Sequence, residues 1–241
     1  MLDITWFGDT DIVTFPDAET ALSEPDGLLA IGGNLSVSTL LNAYENGIFP
    51  WFSAGDPIMW WSPSERAVLE PKNIHLSKNM QKLLRQQRYG VTMDTAFDAV
   101  IANCSTDSAI MPRSKTWITA EMQRAYRQLF AAGFAHSVEV WNDKKQLVGG
   151  LYGVFVKNCF CGESMFSQES NTSKLALINL ARFLQHWQGA LIDCQLPTPH
   201  LLTLGATSVT RKVFSCQLNK MQDNPILTKK SWSDLWQRYS A

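Results

Sequence analysis

Metal and disulfide chemistry find little to work with in this sequence. Its five cysteines (Cys104, Cys159, Cys161, Cys194, Cys216) include no Cys-x-x-Cys pair, and its four histidines (His75, His136, His186, His200) include no His-x-His or His-x-x-x-His spacing. Neither a structural zinc site, nor a metal cofactor, nor a disulfide framework is expected; reduced, mostly buried thiols are. A Gly-x-Ser-x-Gly elbow is missing, which removes the usual hydrolase nucleophile. Gly27, Gly32 and Gly33 are followed by no Gly-Lys-Ser/Thr, so they read as turns and not as a phosphate loop. No apolar run approaches the ~20 residues that cross a bilayer, and Asp3, Asp9 and Asp11 interrupt the beginning as no secretory signal would. A cytoplasmic protein with no membrane partner is expected.

A net charge of −1 excludes a polycation, so any nucleic-acid contact must come from local clustering. Such clusters exist. From Pro71 to Met93 there is no acid, while Lys72, Lys78, Lys82, Arg85 and Arg88 fall inside that stretch; from Cys194 to Gln222 there is again no acid, with Arg211, Lys212 and Lys220. Either can be a solvated face or a phosphate-binding one.

The chain of 241 residues divides by texture near residue 62. Residues 1–62, rich in turns and ending in aromatics, suggest a small N-terminal domain around a helix capped by Ser36 and ended at Gly47. Residues 63–241 are more regular. Leu76, Met80, Leu83 and Leu84 lie on one side of a helix and Lys78, Lys82, Arg85 and Arg88 on the other, since successive residues turn by ~100°. After a short strand near Val91, one helix is expected to be capped by Asp94 and another by Thr119, the second ending at Gly133. Three extended runs then form a meander: 136–141, 146–156 and 159–167. A helix entered through Ser173 leads to a strand over 190–195, which implies a parallel crossover. Thr198-Pro199 starts a short helix ended by Gly205, a last strand is expected from Thr210 to Leu218, and Trp232 and Trp236 mark a terminal helix.

Polar residues inside two apolar strands stand out: Glu163 and Ser164 in 160–167, and Asp193 and Gln195 in 191–195. Residues two apart on a strand share a face, so Asp193 and Gln195 are expected to reach one centre. A buried acid is equally accounted for as a cap or a salt-bridge partner. Trp51, Trp60, Trp61 and Trp117 can line a pocket or fill a core.

The strings themselves carry more. Asp26-Gly27-Leu28-Leu29-Ala30-Ile31-Gly32-Gly33-Asn34-Leu35-Ser36, Asn46-Gly47-Ile48-Phe49-Pro50-Trp51-Phe52, Trp60-Trp61-Ser62-Pro63, Thr116-Trp117-Ile118-Thr119, His136-Ser137-Val138-Glu139-Val140-Trp141, Gly149-Gly150-Leu151-Tyr152-Gly153, Phe160-Cys161-Gly162-Glu163-Ser164-Met165-Phe166-Ser167 and Leu191-Ile192-Asp193-Cys194-Gln195 occur in this order. Together they resemble the bacterial leucyl/phenylalanyl-tRNA-protein transferases, over roughly residues 15 to 220.

The resemblance implies an α+β fold, a small N-terminal domain followed by an N-acetyltransferase-like mixed-sheet domain. It implies transfer of Leu or Phe, with Met a further candidate, from aminoacyl-tRNA to proteins that begin with Arg or Lys, marking them for N-end-rule degradation. No cofactor is needed, because the aminoacyl ester is already activated, and a monomer is expected. By resemblance Asp193 and Gln195 sit at the reacting centre, with Asp193 as base or as orienting group. Glu163, with Ser164, sits where the cationic acceptor enters, and Trp51, Trp117, Leu151, Met165 and Ile192 form the pocket for the transferred side chain. Lys78, Lys82, Arg85 and Arg88 would grip tRNA phosphates, helped by Arg113, Lys115 and Arg211; Tyr44 and Tyr126 would stack the terminal adenine or fill core. Two departures from the family pattern are Leu151, where Met is frequent, and the neutral Gln81, Gln86 and Gly90, where more basic residues occur. A coenzyme A-dependent acyltransferase is the first rival reading, and the acetyl-coenzyme A loop is absent from residues 168–173. A non-catalytic RNA-binding module is the second, opposed by the pairing of Asp193 with Gln195.

Overall fold

The structure is a computed structural model and describes residues 4–9, 12–106 and 117–240. Its first part builds a four-stranded sheet from β1 (Thr5–Phe7), β2 (Leu28–Gly32), β3 (Phe49–Pro50) and β4 (Met59–Trp61), in the order β1-β2-β4-β3. Helix α1 (Val37–Glu45) lies between β2 and β3, with the Ser36 hydroxyl accepting the Thr39 N–H as its cap.

β5 (Glu65–Leu69) opens the main sheet. Then come α2 (Lys78–Gln86), β6 (Gly90–Met93), α3 (Phe97–Cys104), α4 (Ala120–Ala131) and the meander β7 (Ala135–Trp141), β8 (Leu147–Val156) and β9 (Cys159–Ser167). α5 (Thr172–His186) crosses over to β10 (Leu191–Gln195), which runs parallel to β9. α6 (Pro199–Thr203), β11 (Thr207–Thr210), α7 (Arg211–Lys220), α8 (Pro225–Lys229) and α9 (Trp232–Ser240) complete the chain. The main sheet has the order β11-β5-β10-β9-β8-β7-β6. This is the expected α+β plan, with the expected parallel crossover through α5.

Both faces of the sheet are covered. One carries α1, α3, α4 and α7, through residues such as Leu40, Val100, Leu129 and Phe214; the other carries α5, α2 and α9, through Ile178, Met80 and Trp232. The tail is anchored by aromatics. The Trp232 ring stacks on His136 at 3.9 Å, and the Trp236 indole N–H donates to the Val91 carbonyl at 2.9 Å.

Three expectations need correction. Asp94 does not cap α3, which starts at an Ala96 without a side-chain cap; its carboxylate instead accepts the Ser137 N–H and pairs with His136 Nδ1, both at 2.8 Å. The last strand ends at Thr210, because the Thr210 hydroxyl accepts the Val213 N–H and caps α7, which buries Phe214 and Leu218 one turn apart. Arg88 lies beyond the end of α2, where Gln87 takes a left-handed conformation (φ 47°).

Candidate active site

The parallel pair β9–β10 holds only at its beginning. Cys159–Cys161 pair with Leu191–Asp193, and from there both strands bulge. On β9, Tyr152 of β8 faces Ser164 while Gly153 faces Gly162, so Glu163 is an extra residue in the ladder. On β10 the register against β5 slips between Asp193 and Gln195, and Gln195 has φ 60°. Bulges re-aim side chains, and these two direct theirs toward the gap between the parting strands. Gly153 permits the first: a Cβ there would stand 2.3 Å from the Cys161 carbonyl oxygen.

The gap is a cavity of about 320 Å³. Trp117, Leu151, Glu163, Ser164, Met165 and Ile192, all singled out in the sequence, line it. Phe160 and Cys194, which stand in the family strings but were given no role, line it too, and so do Leu177 and Leu201, which no signal marked, since a buried apolar residue of a strand or helix looks the same whether it faces a neighbour or a ligand. A cavity of about 150 Å³ accommodates benzene, so this one has room for a phenylalanyl side chain and the atoms joined to it. Trp51 is not brought to it. That residue is 43% exposed, with its ring 5.7 Å from Trp61 and its carbonyl bonded to the Trp61 indole.

Glu163 is the one carboxyl that the described residues bring to the cavity wall. One carboxylate oxygen accepts the Gln195 side-chain amide at 2.8 Å, and the other accepts the Tyr126 hydroxyl at 2.7 Å; Tyr126 is in turn hydrogen-bonded to the Tyr44 hydroxyl. Burial pushes the Glu163 carboxyl up to about 7, although the hydroxyls of Tyr126 and Tyr44 pull it down. Both phenols are held well above their usual range, chiefly by burial, and stay protonated donors. Of the two readings for these rings, a platform for adenine or core, burial favours core: Tyr44 is 1% and Tyr126 0% exposed.

For Asp193 the structure shows the salt-bridge alternative. It is wholly buried, and the Arg66 guanidinium grips it at two points, Nε to Oδ1 at 2.8 Å and Nη2 to Oδ2 at 2.6 Å. Arg66 lies between the Phe49 and Phe214 rings and donates Nη1 to the Gly47 carbonyl. Asp193 Oδ1 further accepts the Gln195 N–H at 2.9 Å, which fixes the bulge. Asp193 and Gln195 therefore do not present two side chains to one centre, because the slipped register breaks the strand alternation. Arg66 escaped notice in the sequence, where its only signal is a cation beside Ala67, Val68 and Leu69 in a short apolar run.

Lys78, Lys82 and Arg85 stand exposed on α2 and Arg88 just past it, opposite the buried Met80. Arg211 belongs elsewhere: it is buried, bonding the carbonyls of Ala18 and Pro63 and tying α7 to the first part of the chain. Arg113 and Lys115 lie outside the described residues. No group of three or more potential metal ligands occurs among the described residues, and no helix among them is long and apolar enough to cross a membrane.

Comparison with known proteins bears directly on this geometry. The family model described as leucyl/phenylalanyl-tRNA protein transferase matches residues 68–219, and that of its N-terminal domain matches residues 33–64. The leucyl/phenylalanyl-tRNA–protein transferase of Ectopseudomonas mendocina is 50% identical over 222 residues, 92% of this chain and 96% of the relative. That of Pectobacterium carotovorum is 51% identical over 209 residues, 87% of each, and that of Psychromonas ingrahamii 48% over 218 residues, 90% of each. With most of its length aligned to such relatives, the chain belongs to the leucyl/phenylalanyl-tRNA–protein transferase family.

Proposed function

We propose that this protein transfers a leucyl or phenylalanyl group from aminoacyl-tRNA in the cytoplasm to the amino terminus of proteins that begin with Arg or Lys. The observation that carries this reading is an apolar cavity whose wall holds one carboxyl near neutrality, Glu163, bonded to Gln195. The cavity takes the side chain of the donor. Full burial of a Leu or Phe side chain is worth about 1.5–3 kcal/mol, and it places the ester carbonyl at the cavity mouth beside Glu163.

The acceptor's amine attacks that carbonyl. A C–N bond forms, the bond from carbonyl carbon to ribose oxygen breaks, and the amine loses a proton. Glu163, ionised in a substantial fraction of molecules at neutral pH, takes the proton and returns it to the departing ribose oxygen, help worth roughly 10²- to 10⁴-fold. Gln195 holds the carboxylate in place. Asp193 is a positioning residue that acts through the Gln195 backbone, and the exposed cations of α2 hold tRNA phosphates.

The test is transfer itself. Radiolabelled Phe-tRNA is incubated with a peptide that begins with Arg and with one that begins with Asp. Label and the mass of one phenylalanyl residue should enter the first peptide and not the second. Label in neither peptide, or equally in both, rejects the reading.

A further inference from the structure

A second cavity, of about 490 Å³, opens beside the first, and Met165 and Leu201 line both. Its remaining wall includes Ser173, Lys174, Thr198 and His200, and no carboxylate of the described residues lines it. Lys174 comes from α5 and His200 from α6, so two separate elements bring a lysine and a histidine to one groove. Among the described residues neither is in an ion pair. Burial and the Lys174 charge together hold His200 below its ordinary range, which places the two side chains within each other's field. Two cation-forming groups set together over an apolar floor are unfavourable in the free protein, and an anion between them reverses the sign.

The exposed cations stand on α2, an element that borders the helix carrying Lys174. Leu83 and Leu84 of α2 share a cleft with Leu175 and Asn179 of α5, so the cationic helix packs beside the turn that carries Lys174. In an aminoacyl-tRNA, a single ribose separates the ester from the phosphate on the 5′ side of the terminal nucleoside. A donor with its side chain in the first cavity brings that phosphate down next to it.

We propose that Lys174 and His200 hold the phosphodiester immediately 5′ of the terminal adenosine of the donor, an inference that rests on the aminoacyl-tRNA reading above. Such a contact contributes to donor use without reading sequence. The experiment compares two short donors, the phenylalanyl ester of adenosine and that of the dinucleotide CpA, which adds only this phosphodiester and one nucleoside. The quantity read is the ratio of their kcat/KM values for transfer to an Arg-initiated peptide. For the wild type a ratio of about 10 or more is expected, as two charge-assisted bonds supply. Lys174→Ala and His200→Ala should each bring it down, the double variant should bring it close to one, and Lys174→Arg should keep it. Because the ratio is internal to each variant, loss of folded protein does not move it. A wild-type ratio near one, or a ratio unchanged in the double variant, overturns the proposal. Failure of the wild type to use even whole Phe-tRNA overturns the underlying reading, and this inference with it.

Discussion

Asp193→Asn removes one unit of charge opposite Arg66 and almost no volume. The pair it breaks is sealed, with 2% and 0% of the two side chains exposed, and both hydrogen bonds are short. Taking one partner from such a pair leaves the other buried and unpaired, at about 3–5 kcal/mol. Arg66 keeps the Gly47 carbonyl and its two aromatic faces, each worth roughly 0.5–2 kcal/mol, so the lower end of that range, about 3 kcal/mol, is expected. Arg66→Met should cost a similar amount, since it strands the carboxylate. The double variant Arg66→Met/Asp193→Leu buries no charge, and replacing a buried pair by apolar residues is frequently neutral. Urea unfolding of the wild type, the two single variants and the double variant closes the cycle. The double variant should recover about 2 kcal/mol or more of the summed losses, as expected for a coupled pair. Single effects that add fully in the double variant, or an Asp193→Asn variant as stable as the wild type, refute the assignment of Asp193 to a buried pair.

Glu163→Gln should change how stability depends on pH. The folded carboxyl at about 7 lies above its ordinary 4.5, so between these values the folded chain holds a proton that the unfolded chain has lost. That stabilisation is present below 4.5 and lost as pH rises through 7, which amounts to roughly 3 kcal/mol; urea unfolding at pH 4.5 and 8.5 should show Glu163→Gln gaining on the wild type by this order at the higher pH. Changing Lys78, Lys82 and Arg85 together to Ala should weaken tRNA binding and flatten the slope of log K against log salt by roughly 2 to 3, at about 0.7 to 0.9 per phosphate contact. Titrations at several salt concentrations measure it, and an unchanged slope removes α2 from the tRNA surface. Leu151→Phe narrows the cavity, so kcat/KM for Phe-tRNA should fall several-fold more than for Leu-tRNA; equal losses would place Leu151 away from the transferred side chain.

Much of the fold was legible because periodicity reports burial directly. The Ser36 and Thr119 caps, the meander and the crossover through α5 follow from local spacing and turn chemistry. What escaped depended on tertiary partners. Strand β5 opens on the charged pair Glu65-Arg66, which leaves only three apolar residues in its run, and its pairing between β10 and β11 brings together residues more than a hundred positions apart. The β10 bulge inverted the inference about Asp193 and Gln195, because strand alternation holds only where the register is unbroken. Six residues of the cavity wall were marked by their likeness to the family strings, while Tyr44 and Tyr126 were left between core and a platform for adenine, since a hydroxyl buried against a carboxylate and a ring exposed to a base look alike in sequence.

Single-turnover transfer of Phe from Phe-tRNA to an Arg-initiated peptide, followed from pH 5.5 to 9, tests most directly whether Glu163 carries the proton. The wild-type rate should rise through two ionisations, one near 7 from Glu163 and one near that of an α-amine, about 8. Glu163→Gln should keep only the second and reach a plateau lower by roughly 10²- to 10⁴-fold. A folded Glu163→Gln variant with the wild-type profile and plateau would contradict the account.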